Sequence, residues 1–147
     1  MKRIWSLMLV VVAAGIVVSA GSATPRSGGL HVTKECSQYT GAAGSFCTIT
    51  SSNINAIKPG SRVFYASAAD FVNGGLDSNL VIDGPGNNNA FGHVVLDLSH
   101  FPDITGWVTL SGGTGVFAHF HTQRLAVACP AFPACSWDGA YNFGPND

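Results

Sequence analysis

The chain has 147 residues, only 15 of them charged, with five histidines, four cysteines and a formal net charge of −1. It holds no basic run and no basic helix, which excludes nucleic acid and anionic lipid as partners. After the leader described next, five of the seven basic residues and all eight acidic ones remain, so the mature chain carries −3.

Residues 1–23 read as a secretory signal peptide. Met1-Lys2-Arg3 is basic, Leu7 to Val18 is an uncharged apolar run, and small residues follow, with Ala20 or Ala23 as the residue before cleavage. The apolar run falls short of the roughly 20 residues a spanning helix needs, and no second run of that length follows. The expectation is a secreted chain, extracellular or periplasmic, with no membrane span after processing. Residues 24–46 read as an N-terminal extension that brings in the first cysteines. All four cysteines (Cys36, Cys47, Cys129 and Cys135) fall after the leader, and an even number in an exported protein favours disulfides. Pairing Cys36–Cys47 and Cys129–Cys135 is favoured because each pair brackets a short Gly- or Pro-rich loop. No C-x2-C spacing supports a zinc site instead.

From Cys47 onward, short β-rich runs alternate with turn clusters. The predicted strands are Phe46–Thr50, Arg62–Ser67, Asn79–Asp83, Phe91–Leu98, Trp107–Ser111, Phe117–Ala128 and Trp137–Phe143. Pro59-Gly60, Asn73-Gly74-Gly75, Gly84 to Asn89 and Ser111 to Gly115 supply the turns. No amphipathic helix is predicted after the leader beyond one turn within 67–72. Many short strands at this spacing indicate an all-β barrel or sandwich.

Four segments carry a resemblance that favours the barrel. They are Gly113-Thr114-Gly115-Val116-Phe117-Ala118, the preceding Trp107–Ser111, Gly92-His93-Val94-Val95-Leu96-Asp97, and Trp137-Asp138-Gly139-Ala140-Tyr141-Asn142-Phe143. Together they resemble the allene oxide cyclase-like barrel superfamily, related in shape to dirigent proteins. The resemblance implies a single antiparallel eight-stranded, calycin-like barrel over residues 47–147. It also implies a central apolar pocket and a homo-oligomer, either a trimer or a dimer. The family runs small after Phe-Ala, whereas this chain has His119-Phe120-His121. The cyclase reaction is steered by a carboxylate, and the one glutamate, Glu35, lies outside the resemblance. No catalytic residue is therefore assigned and no cofactor is expected.

On one strand, His119 and His121 leave the same face. With His93 from another strand they form a candidate Zn²⁺ or Cu²⁺ set. With Trp107 the three histidines form a candidate ligand-binding set. The plainer alternatives are surface histidines beside a turn, or interior ones satisfied by carbonyls and hydroxyls. A bulge in that strand would change which end faces inward. Tyr39, Trp107, Trp137 and Tyr141 are candidates for a sugar platform, although strand position favours core packing for the two tryptophans. Ser111 to Gly115 is not a phosphate loop, because it lacks lysine and leads into a strand. The carboxylates sit mostly in turns, and Asp97 is about 13 Å along its strand from His93, too far for a dyad. The function expected is non-catalytic binding of a small apolar or amphipathic ligand in a secreted barrel. The alternatives are an isomerase or cyclase acting on a lipid-derived substrate, or a surface module that binds carbohydrate or protein.

Overall fold

Alternation of apolar and polar residues builds most of the strands. Leu76, Ser78, Leu80 and Ile82 point inward from one strand, and Leu125, Val127 and Cys129 from another. A computed structural model describes residues 26–144, and the predicted signal peptide lies outside them. Nine strands form among the described residues: β1 (Ser27–Glu35), β2 (Phe46–Ser52), β3 (Arg62–Tyr65), β4 (Gly75–Asp83), β5 (Asn89–Asp97), β6 (Ile104–Gly113), β7 (Phe120–Thr122), β8 (Leu125–Ala131) and β9 (Ala134–Phe143). All pairings are antiparallel. The order β1-β2-β3-β4-β5-β6-β8-β9 closes through the β1–β9 ladder, giving the eight-stranded barrel expected, and β7 is an extra strand wedged between β6 and β9. Closure leaves the eight strands without an open edge.

The interior is filled by side chains. Trp137, Phe117, Phe120, Leu80, Leu110 and Leu125 are among the largest fully buried ones, each contributing roughly 2 kcal/mol of apolar burial. The connections fall at two ends. The β1–β2, β3–β4, β5–β6 and β8–β9 connections share one end, and both disulfides, Cys36–Cys47 and Cys129–Cys135, close it as expected. The other end carries the β2–β3, β4–β5 and β6–β7 connections.

Two expectations are corrected. Residues 27–35, placed in an extension, form β1, which pairs with both β2 and β9 and is the strand that closes the barrel. Its alternation is legible in Leu30, Val32 and Lys34, but the glycines at its start mask it. The single strand expected over Phe117–Ala128 is broken. Gly115–Phe117 is a 3₁₀ turn, β7 is only three residues long, and β8 begins after Gln123-Arg124. Phe120 and Leu125 both point inward at an odd spacing, so the chain slips by one residue between β7 and β8. Residues 67–72 keep within the limit of one helical turn set for them: Asp70 bridges to Gly75 and its carboxylate caps Val72 and Asn73.

The glycine-rich turn locks two loops together. Thr114 Oγ1 donates to the Asn87 carbonyl and accepts from the Asn89 amide at 3.0 Å, while the Val116 amide donates to Asn88 Oδ1 at 3.0 Å. Gly115 takes φ +57°, and a Cβ there would lie 2.1 Å from Asn88 Oδ1, so both conformation and space require glycine.

Candidate functional site

The sequence-derived histidines are not brought together. His93 lies on the outer face of β5, where Nε2 meets Asp77 Oδ1 at 3.0 Å and Nδ1 meets Asn79 Oδ1 at 3.0 Å, both from β4. Trp107 sits beside it on β6, ring centroids 5.9 Å apart, with the Arg124 guanidinium 4.4 Å from the indole. Trp107 therefore belongs to an outer polar and aromatic cluster, not to the core, whereas Trp137 is fully buried. His121 is on β7 opposite Ser111. His119 is exposed in the turn before β7, beside a surface groove with Arg26, Val116 and Phe143. Because the expected strand breaks at this turn, His119 and His121 do not share a strand face. Among the described residues, no three His, Cys, Asp or Glu side chains gather into a metal-holding group. Glu35 spends its carboxylate on the Ser37 amide and hydroxyl, in a local turn.

The interior holds a different cluster. Alternation along β1 that buries Leu30 and Val32 also buries Lys34, which is 4 % exposed. Its Nζ donates to Tyr65 Oη at 2.5 Å and lies 4.8 Å from the Trp137 ring centroid and 5.2 Å from that of Tyr65. No carboxylate is within ion-pair distance among the described residues. Tyr39, from the β1–β2 loop, packs edge-on against Tyr65 with centroids 5.1 Å apart. Its hydroxyl is buried and has no hydrogen-bond partner, and the same holds for Trp137 Nε1.

Lys34, Tyr39 and Tyr65 adjoin a cavity of about 20 Å³ at the disulfide-closed end, room for one water molecule or a pair of ligand atoms. The remaining walls are apolar, chiefly Leu76, Leu96, Leu98, Ile104 and Phe132, together with the two cystines. The loops at this end also expose Phe71, Val72 and Phe101.

Two effects compete at Nζ. Burial disfavours the ammonium, while the ring faces favour it. Burial prevails and lowers the Lys34 pKa from 10.5 to about 7. Burial likewise raises the phenols of Tyr39 and Tyr65, which stay protonated. The site thus offers an amine of much reduced basicity, two phenol hydroxyls and an apolar wall. Sequence reasoning missed it because β1 itself was missed. The available signal was a lysine in the inward phase of Leu30-His31-Val32-Thr33-Lys34-Glu35-Cys36.

No protein-family model, curated protein or solved structure matches the chain. Among the described residues, no helix is long and apolar enough to cross a membrane.

Proposed function

We propose that the protein is an exported, allene oxide cyclase-like barrel that binds a small amphipathic ligand at its disulfide-closed end, without turning it over. The observation that carries this reading is the Lys34 amine, buried without a carboxylate partner beside an apolar cavity. A buried polar group is costly unless it is satisfied, and Lys34 and Tyr39, whose buried hydroxyl has no partner, both line this cavity. A ligand's polar head fits beside Nζ, and its short apolar body lies against Leu98 and Phe132 toward the exposed Phe101. The cavity's size limits the ligand to a short chain rather than a whole lipid. Export is supported by the basic, apolar and small-residue order of residues 1–23 and by two disulfides, which persist in oxidising compartments.

The test is a titration with 1-hexanol followed by Trp137 fluorescence in a Trp107→Phe background. A saturable change that Leu76→Phe abolishes is expected, since the larger side chain fills the cavity. An unsaturable or absent response refutes the reading.

A further inference from the structure

We propose that Lys34 captures small apolar aldehydes covalently, holding them as an imine at the floor of the disulfide-rimmed cavity. This rests on the ligand-binding reading above and names its ligand class. Three observations converge. The Lys34 Nζ contacts a phenol and an indole face but no acid, so no carboxylate offsets the burial that disfavours the ammonium. The cavity beside it is about 20 Å³, which suits the two heavy atoms of an aldehyde group. Tyr39 lines the same cavity with a buried hydroxyl that has no partner, a donor left for a carbonyl oxygen. All four cysteines are tied in disulfides, so no thiol competes as a nucleophile there.

The chemistry balances without an oxidant or reductant. The neutral amine attacks the carbonyl carbon, the Nζ–C bond forms, and the carbonyl π pair moves to oxygen, which is protonated from a phenol. The phenol recovers its proton from the nitrogen, giving a carbinolamine. The C–O bond then breaks, and the second nitrogen proton leaves with the oxygen. The products are an imine and one water. The depressed basicity of Lys34 supports this step, because a useful fraction of the amine is unprotonated at neutral pH. A carboxylate ligand is less suited, since it would bring a second charge into an apolar space.

The experiment treats the purified secreted protein, from which the leader has been removed, with hexanal at pH 7 in the presence of sodium cyanoborohydride, which reduces an imine to a stable secondary amine. Intact mass and peptide mapping then locate the adduct. One hexyl group at Lys34 is expected, forming about tenfold or more faster than at Lys58, which is exposed and lies outside the cavity that would hold the aldehyde. Leu76→Phe, which keeps the lysine but fills the cavity, should slow that labelling by about tenfold. An adduct at Lys58 or the amino terminus with Lys34 unmodified overturns the proposal, as does unchanged labelling in Leu76→Phe. A parallel 1-hexanol titration separates the two readings. If hexanol saturates the site while hexanal leaves Lys34 unmodified, imine capture falls and ligand binding stands; if neither occurs, both fall.

Discussion

Lys34→Met should stabilise the protein at neutral pH and cancel a specific part of its pH dependence. The Lys34 pKa falls from 10.5 in the unfolded chain to about 7 in the fold. Between those values the unfolded chain holds more protons, so native stability rises with pH through this window. Each pH unit is worth about 1.4 kcal/mol, and the lowered proton affinity of the buried amine costs folding about 4 kcal/mol at pH 7 and about 2 kcal/mol at pH 9. Methionine removes that cost but leaves the Tyr65 hydroxyl without its amine partner, a loss of roughly 2 kcal/mol. The variant is therefore expected to exceed the wild type by roughly 2 kcal/mol at pH 7 and to match it near pH 9. Urea unfolding of both proteins at half-unit pH intervals measures the difference, and other titrating groups cancel because they are common to both. Parallel stability curves for the two proteins would show that Lys34 does not titrate in this window and would refute the reasoning.

Replacing Cys36 and Cys47 by alanine should cost about 3 kcal/mol, and replacing Cys129 and Cys135 about 2 kcal/mol, because the longer loop loses more closure entropy. Denaturant midpoints check both, and the reverse order would contradict the loop-closure account. Gly115→Ala forces a side chain into φ +57° and against Asn88, so a loss of roughly 1–3 kcal/mol is expected in thermal unfolding. A neutral effect would mean that the Thr114 and Asn88 lock is not rigid. A chelator should leave the melting temperature unmoved, since His93, His119 and His121 are held at separate places. A drop reversed by added Zn²⁺ would show that they meet after all.

What the sequence made legible follows from the length scale of each signal. The barrel's closing ladder runs through β9, whose Trp137 and Tyr141 lie in a plainly alternating run, and the turns that separate β2 to β6 are written in Gly, Pro and Asn. Each disulfide closes a connection between strands adjacent in sequence, so a short Gly- or Pro-rich loop singled out each pair. The histidines misled because a two-residue spacing carries meaning only inside an unbroken strand. Whether the strand is unbroken depended on Gly115 at positive φ and on a slip near Gln123-Arg124 that only the register with β6 and β9 reveals. Lys34 stayed hidden for a related reason. A lysine two residues before a cysteine reads as a solvated residue of a loop, and becomes a buried amine only when the alternation of Leu30 and Val32 is extended through it. Tyr39, Tyr65 and Trp137 then arrive from a loop and two other strands, at separations of up to 103 residues along the chain. No local pattern encodes that meeting. The phase of β1 fixes which of its residues face the interior, and the closure of β1 on β9 brings the indole to the amine, so the chemistry of the site is set by the same ladder that closes the barrel.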